Sequence, residues 1–321
     1  MDRDQQKTYA TSLIGVQCPA GDDSSMLVYK ILGMLAADDV GRPLHIEQSY
    51  YIDSDGYRNH VIMPYWNEFS HMNKFITRDD FKAFRNAPCS GPLGWWMETF
   101  WGDTSAADVA GATNLKSGIG RHSGTVEEQY HSYMGSMRDR VPDYLSGSAD
   151  GRLSKLARQP PTETKGRHLI IDGLPHNICY IRGPFGFKHA PQEQQDAFHE
   201  IIMPTLIAAA DYLSLNPIDS GCISMRRVEE MKIGFDNEVD TEILGWFLTL
   251  QDLERWTRHH PSHLRVLKSA TEFFARFDNN VSVTEGHEVF VIPEGQLWCE
   301  YVNCHAKTGF LPYFATHDMV N

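Results

Sequence analysis

The feature that most limits the fold of this 321-residue chain is a short internal echo. The segment Phe75 to Phe84 (FITRDDFKAF) aligns without gaps on Phe247 to Trp256 (FLTLQDLERW). In the two copies, Thr77 and Thr249 are suited to cap a helix, and each is followed three residues later by an Asp, as in a capping box. The echo therefore predicts two related halves, in each of which a strand ends where a helix begins.

A long irregular stretch separates the two halves. Residues 142–167 are rich in Ser, Gly, Pro and charge, which is typical of a surface connection. We expect an N-terminal ferredoxin-like half over residues 1–150, a connecting loop over 151–165 and a C-terminal ferredoxin-like half over 166–321. Strands mixed with helices in both halves favour an α+β fold, with mostly antiparallel sheet flanked by helices. The absence of GxGxxG and Walker loops argues against a nucleotide-binding fold.

Short apolar runs between turn residues predict the strands. They lie at Leu13–Gln17, Val61–Trp66, His168–Asp172, Ile178–Arg182, Gly221–Met225, Thr241–Leu248, Glu288–Ile292 and Leu297–Cys304. Longer periodic segments predict helices at Ser25–Ala37, Pro191–Leu213 and Ser262–Phe277. We expect Pro204 to distort the second of these helices.

Charge and composition exclude several kinds of partner. The chain has 42 acidic and 29 basic residues, a formal net charge of −13, and no basic patch, which excludes nucleic acid. It has no secretory signal and no run of 18 uncharged apolar residues, so we expect a cytoplasmic protein that does not enter a membrane. Its six cysteines form no CxxC pair, which predicts reduced thiols rather than disulfides or structural zinc.

The densest group among the fifteen histidines lies at residues 258–263 (RHHPSH). His259 and His263 would share a face of a continuous helix, but Pro261 is better placed in the first turn of a new helix. No Glu completes an HExxH zinc pattern. A junction between two helices, with surface or capping histidines, is therefore favoured over metal binding.

Two other histidines bracket a predicted hairpin of apolar strands, His287 before it and His305 after it. Such a pair could place one imidazole on each side of a flat cofactor such as haem, although structural histidines are the simpler interpretation. Arg182 and Ser224 also interrupt apolar strands. Each is ordinarily a rim or backbone partner, but beside a cofactor they could bind a small polar oxygen atom.

Taken together, several segments resemble the haem-containing aldoxime dehydratases, the phenylacetaldoxime dehydratase family. They occur in the family's order and span nearly the whole chain. The segments are GVQ at 15–17, YMGSMRDRVP at 133–142, NICYIR at 177–182, GCISMR at 221–226, DLERW at 252–256, HPSHLR at 260–265 and YVNCHAKTG at 301–309.

The resemblance implies an enzyme that converts an aldoxime, R-CH=N-OH, into a nitrile and water on ferrous haem b. It also implies a fold similar to the dimeric α+β barrels, with the haem in an apolar pocket, and is consistent with a homodimer. Matched residue by residue, His287 is the proximal iron ligand and His305 is the distal histidine, an acid and then a base. Arg182 and Ser224 match the pair that holds the oxime hydroxyl.

Two alternatives stay open. Another haem enzyme on the same barrel, of peroxidase or oxygen-activating type, would use Arg182 as its distal cation. A non-catalytic haem-binding or sensor protein would use His305 as a sixth iron ligand. If His287 does not bind the iron, His260 and His263 are the next candidates. Met134 stands where the family resemblance leads us to expect a larger aromatic residue.

Overall fold

The computed structural model describes residues 8–37, 41–88, 90–111, 117–122, 133, 135–141, 143, 151, 153, 155–230 and 239–319. Within these ranges the fold is α+β, as predicted, with one curled antiparallel sheet flanked by helices. None of the helices in these ranges is long and apolar enough to span a membrane. Met134 lies outside the described residues.

The strands of the described sheet are β1 Thr8–Pro19, β2 His45–Ile52, β3 Tyr57–Trp66, β4 Gly94–Asp103, β5 Ala107–Gly111, β6 His168–Ile171, β7 Ile178–Gly186, β8 Cys222–Glu230, β9 Thr241–Phe247, β10 Thr284–Ile292, β11 Leu297–Val302 and β12 His317–Asp318. The helices are α1 Ser25–Ala36, α2 Phe69–Ile76, α3 Asp79–Arg85, α4 Gln192–Ala197, α5 Met203–Leu215, α6 Pro217–Ser220, α7 Leu250–His259 and α8 Pro261–Arg276. Each strand and helix predicted from the apolar runs and periodic segments overlaps an element of the structure, whereas β2, β4, β5 and β12 were not predicted.

The predicted distortion near Pro204 is confirmed. A π-helical segment, Phe198–Ile202, separates α4 from α5 and ends just before this proline. Proline has no N–H to donate to the preceding turn, and such local changes of helix type are one way a helix accommodates that loss.

The same strand order occurs twice in the sheet. The first set runs β4-β1-β3-β2 and the second runs β10-β7-β9-β8, so in both the first strand lies between the third and the fourth. This is the order of a ferredoxin-like unit. The two sets join where β2 pairs with β8, and each also lends a strand to the other, since β5 pairs with β10 and β11 with β4. The residue bounds of the two halves stay a prediction.

The echo that suggested the duplication is only half correct. Thr249 does cap α7, since its hydroxyl accepts the backbone N–H of Asp252 at 3.1 Å. Thr77, however, follows the last residue of α2, and Phe75 lies inside that helix rather than at the end of a strand. The predicted strand and N-cap at the first copy are therefore wrong. The strand order, not the echo, carries the evidence for duplication.

The connection between the halves is not wholly on the surface. Leu156 is buried in the central apolar cluster, and Thr164 is buried and donates a hydrogen bond to the Cys304 carbonyl at 2.7 Å. For these residues the prediction of a surface loop is wrong. The five described cysteines are buried and form no disulfide, as predicted, and Cys89 lies outside the described residues.

One face of each strand set points into a shared interior. Aromatic side chains from both sets meet there: the ring centroids of Tyr9 and Phe290 are 4.4 Å apart, and Phe100 lies 5.2 Å from Trp246. The opposite faces pack against the helices, with α1 to α3 on the first set and α5, α7 and α8 on the second. The sheet therefore has a barrel-like interior and a helix-covered exterior.

The interior also holds a charged cluster around Arg182. This guanidinium pairs with Glu47 at 2.6 Å, Glu242 at 2.5 Å and Glu288 at 3.4 Å, and all four side chains are buried. Burial alone raises the pKa of Glu47, but Arg182 outweighs it and lowers the value to about 2. Burial raises the pKa of Glu242 to about 7 and also raises that of Glu288, against the pull of Arg182. One cation therefore does not keep three carboxylates ionised.

We predict that Glu242 makes the folded state less stable as the pH rises. Its ordinary pKa is 4.5 and its folded pKa is about 7. Between these values the unfolded chain loses the proton while the folded chain keeps it, so the free energy of unfolding falls with rising pH. The variant Glu242→Gln cannot ionise. Its thermal midpoint should fall less than the wild-type midpoint between about pH 5 and pH 8.

The matched control is Glu272→Gln on the exposed side of α8, whose profile should follow the wild type. Each kcal/mol corresponds to roughly 2 to 4 °C in the midpoint of a protein of this general size. Equal slopes for Glu242→Gln and wild type would contradict a proton held by Glu242.

Candidate functional site

Two of the predicted site residues lie on opposite faces of the sheet. Side chains alternate along a strand, and Tyr180 and Arg182 of β7 point into the interior while Ile181 packs on the helix side. On β10, His287 alternates with Glu288 and shares its face with Val289, which packs on the helix side. The structure therefore does not bring Arg182 and His287 to one pocket.

The partners of Arg182 lead to the same correction. Its Nε, Nη1 and Nη2 atoms each face a buried glutamate. A guanidinium held in this way neutralises the interior and has no nitrogen directed at the helix side of the sheet. The structure assigns Arg182 to the barrel interior, not to an oxime-binding pocket.

His305 also lies away from His287. Its Nε2–H donates to Asp53 at 2.8 Å, and its Nδ1 accepts the backbone N–H of Lys307 at 3.2 Å. Its own backbone N–H donates to Gln17 at 2.9 Å. Burial tends to raise the pKa of Asp53, but the hydrogen bond from His305 outweighs this and lowers it. Both ring nitrogens are thus engaged, and the residue ties the loop after β11 to the first half.

Ser224 lies beside a β-bulge. β8 pairs Cys222 with Phe247 and Ser224 with Trp246, which leaves Ile223 as the extra residue. Ser224 is half-buried, and the neighbouring Met225 packs against the helix-side cluster. The cross-strand partner of Ser224, Trp246, lies in the interior, so Ser224 faces the interior, on the same side of the sheet as Arg182 and opposite to His287.

His287 belongs to a compact hydrogen-bonded group. Its Nε2–H donates to Asp108 Oδ2 at 2.7 Å, and the ring is 9% exposed. Arg140 clamps the same carboxylate with Nε at 3.0 Å and Nη2 at 2.9 Å. Burial acts to raise the pKa of Asp108, but His287 and Arg140 outweigh it, so the pKa is lowered. Asp108 therefore holds the ring through Nε2, and Nδ1 is the nitrogen that could exchange a proton.

His263 has partners of a different kind. It lies in the first turn of α8, with Nδ1 3.1 Å from the Tyr133 hydroxyl, which donates its own proton to the Thr257 carbonyl at 3.0 Å. The backbone of Thr257 also forms a hydrogen bond with His263. Burial lowers the pKa of His263 to about 4. This is a neutral imidazole of the form that binds metals.

One segment links the two histidines. Arg140, which holds Asp108, also donates to the backbone carbonyl of Tyr133 at 3.3 Å, and the Tyr133 hydroxyl reaches His263. The hydroxyl of Thr257 on α7 fixes the segment by donating to the Gly135 carbonyl at 2.8 Å. The sequence analysis identified residues 133–142 as a segment that resembles the family. Nothing in that segment indicated which histidines it would contact.

Asp108 was missed by the sequence reasoning. It is one acidic residue in a five-residue strand, ADVAG, and its partner His287 is 179 positions away. No local pattern marks such a pair. An Asp in an otherwise apolar strand was the one available signal.

Half-buried apolar side chains cover the helix side of the second strand set, where Ile243 and Met225 occupy the space beside Gly183 and Gly245. The side chains of Met225, Ile243 and Val266 are only half-buried on the helix side, and Gly183 and Gly245 place no side chain on that face of β7 and β9. Incompletely buried apolar groups beside a neutral imidazole suit a planar ring that carries a metal.

The open clefts of the described residues lie elsewhere. One of about 520 Å³ borders Arg85 and Trp298, and one of about 240 Å³ borders Asp252 and Arg255. Neither contains His263 or His287.

A model of the haem-containing dehydratases matches residues 12–310. The chain belongs to the haem-containing dehydratase family. This confirms the resemblance found in the sequence. Members similar to the chain include the phenylacetaldoxime dehydratase of Bacillus sp. (strain OxB-1), 28% identical over 95% of this chain and 88% of the relative. The aliphatic aldoxime dehydratase of Rhodococcus globerulus is 28% identical over 93% of this chain and 85% of the relative.

A solved structure agrees with this family membership. The crystal structure of an aldoxime dehydratase in complex with butyraldoxime has a TM-score of 0.82 to this chain at 26% identity, covering 96% of this chain and 86% of that one. A match of this extent includes both strand sets and the helices that cover them.

We predict a structural role for His305. In His305→Phe the Asp53 carboxylate loses its partner, which should cost about 1 to 3 kcal/mol of unfolding free energy. Dehydratase activity per folded molecule should change little. Denaturant unfolding and activity assays check this, with Lys307→Ala on the same turn as the control. A folded His305→Phe protein without activity would instead support the acid-base role that the resemblance implied.

Proposed function

We propose that this member of the haem-containing dehydratase family is an aldoxime dehydratase, a carbon–nitrogen lyase that converts R-CH=N-OH into a nitrile and water. The names of its relatives and the aldoxime-bound neighbour support this substrate class. The observation that carries the proposal is the pair His263 and His287. One has hydrogen bonds suited to metal binding, the other has hydrogen bonds suited to proton transfer, and one segment joins them.

We assign the haem to His263 rather than to His287. His263 is a neutral imidazole because burial lowers its pKa to about 4, whereas the Nε2 of His287 is hydrogen-bonded to Asp108. Ligand histidines commonly hold their second ring nitrogen by a hydrogen bond, as Tyr133 does here. When bound, ferrous haem b supplies an iron that takes the oxime nitrogen and stabilises it as the N–O bond breaks.

The proton chemistry falls to His287. Hydroxide is a poor leaving group and water a good one, so the oxime oxygen must gain a proton before it leaves. Protonated His287 gives that proton from Nδ1, while Asp108 fixes the ring through Nε2–H. Neutral His287 then takes the carbon-bound proton, which completes the nitrile and restores the acid.

The contacts of Arg182 and His305 argue against the two alternative functions, a peroxidase-like enzyme and a haem sensor. A peroxidase-like enzyme was considered because Arg182 could serve as a distal cation, but this residue is paired with three glutamates in the interior. A sensor with His305 as a sixth ligand would need one of its ring nitrogens for the iron. In the structure Nε2 is hydrogen-bonded to Asp53 and Nδ1 to the backbone N–H of Lys307.

The finer points of location and assembly are also proposals. Five buried cysteines without a disulfide support a reducing compartment such as the cytoplasm. The homodimer is carried over from the barrel resemblance, and sedimentation of the purified protein would test it.

We predict that substitutions of His263 and His287 affect different properties of the protein. His263→Ala should lose the haem and its Soret absorption, because the iron loses its protein ligand. By contrast, His287→Ala should keep the haem and bind an aldoxime, while kcat falls by about 10²-fold to 10⁴-fold as general acid-base catalysis is removed. The control is His259→Ala at the exposed end of α7.

Absorption spectra with and without aldoxime, together with nitrile formation under reducing conditions, check this prediction. If His287→Ala loses the haem and His263→Ala keeps it with an unchanged spectrum, the iron is on His287 and the two assignments must be exchanged.

We predict a further dependence on Asp108. The variant Asp108→Asn keeps the shape but removes the charge that stabilises the protonated partner, so kcat should fall by at least about tenfold. The alkaline limb of the activity profile should move to lower pH. Steady-state rates across pH measure this, with Asp211→Asn on the exposed side of α5 as the control. An unchanged profile would remove Asp108 from the mechanism.

A further inference from the structure

A short turn, residues 117–122, runs from the protein surface into the interior of the curled sheet. It contains the 3₁₀-helical segment Gly118–Arg121. The side chain of Ile119 is buried in the interior apolar cluster, whereas Arg121 and His122 are exposed. One end of the turn is therefore in contact with the interior and the other end with solvent.

Two buried glutamates from different halves of the chain hold this turn by its backbone. Oε1 of Glu47 on β2 accepts the N–H of Gly118 at 2.8 Å. Oε1 of Glu288 on β10 accepts the N–H of Ile119 at 2.6 Å. In the sheet, β8, β9 and β7 lie between β2 and β10. The turn therefore spans the inner side of that part of the sheet.

Each of these carboxylates divides its two oxygens between the turn and the guanidinium of Arg182. In Glu47, Oε1 faces the turn and Oε2 lies 2.6 Å from Nη2. In Glu288, Oε1 faces the turn and Oε2 lies 3.4 Å from Nη1. The turn therefore covers the charged cluster around Arg182, and its departure would leave one oxygen of each glutamate for water.

Most of the described contacts of the turn are polar contacts that water can replace. At the surface, Nε2 of His122 lies 2.8 Å from Nδ1 of His45. On the inner strand faces, the hydroxyls of Ser49 and Tyr180 are buried and have no hydrogen-bond partner among the described residues. Water that entered would therefore find polar groups to bind. Local opening of such a segment costs less than unfolding of the sheet.

We propose that the 117–122 turn is a releasable plug, whose local opening admits water and small polar molecules to the charged cluster around Arg182. The plug joins both halves of the chain through Glu47 and Glu288, so it closes the interior only when the two strand sets are assembled. This inference goes beyond the proposed reaction and does not depend on which residue binds the haem.

Gly118 permits a substitution that acts on the plug. Its φ is +56°, and a Cβ at this position would lie 2.2 Å from both carboxylate oxygens of Glu288. Because Arg182 holds that carboxylate from its other side, Gly118→Ala should favour the open turn. The matched control is Gly120→Ala, whose Cβ would be in ordinary contact, 3.4 Å from Cγ1 of Val109.

The experiment measures how fast the carboxyl proton of Glu242 exchanges with deuterium in the full-length protein. At a pH between its ordinary pKa of 4.5 and its folded pKa of about 7, Glu242 keeps this proton. Infrared spectroscopy detects the C=O stretch of the protonated group, which Glu242→Gln identifies by its loss. In heavy water we expect the band to shift at least about tenfold faster in Gly118→Ala than in the wild type. Gly120→Ala should match the wild type.

Amide hydrogen exchange of the wild type tests the plug without any variant. The N–H groups of Gly118 and Ile119 should exchange faster than the amides of β7 and β10, and with little dependence on denaturant. The same rate and denaturant dependence as in those strands would mean that the turn leaves only on unfolding, which overturns the proposal. Equal infrared exchange rates in the wild type and folded Gly118→Ala would also overturn it. Neither measurement depends on conversion of an aldoxime.

Discussion

Two buried ion pairs between the strand sets hold the interior on which the rest of the structure depends. Arg182 of β7 pairs with Glu47 of β2, and Arg226 of β8 pairs with Glu98 of β4 through two hydrogen bonds of 2.7 and 2.5 Å. Each pair therefore joins one half to the other. Buried pairs gain little over apolar residues of the same size, but losing one partner costs roughly 3 to 5 kcal/mol. These pairs matter because they permit few arrangements of the two strand sets.

This use of the inner face decides where the chemistry can occur. Because adjacent residues of a strand point to opposite sides, β10 places Glu288 among the interior charges and His287 among the helices. Among the described residues the interior holds aromatic rings and ion pairs. The helix side of the second strand set carries half-buried apolar groups and two histidines with distinct partners. A cofactor there would lie between a rigid sheet and the start of α8.

The sequence was enough to predict most of the strands, the helices and the family. It was not enough to predict which face of the sheet each side chain occupies. Strands such as β7 are buried on both faces, so their apolar runs lack the alternation that would have placed Arg182 inside. The motif that contains His305 forms a turn with several hydrogen bonds, and no local pattern shows whether the histidine serves that turn or a reaction. Pro261 ends the helical pattern before His263, so the sequence favoured a capping or surface histidine there, and the structure places it in the first turn of α8. The partners that define both histidines come from residues far away in the chain.

The two histidines differ chiefly in what accepts their N–H. His287 donates to an ionised carboxylate that Arg140 holds, and hydrogen bonds with a charged partner are about twice as strong as neutral ones. His263 lies beside the Tyr133 hydroxyl, and burial lowers its pKa to about 4. Tyr133 is one partner directly, and Arg140 positions Asp108, so residues of one loop contact the partners of both histidines.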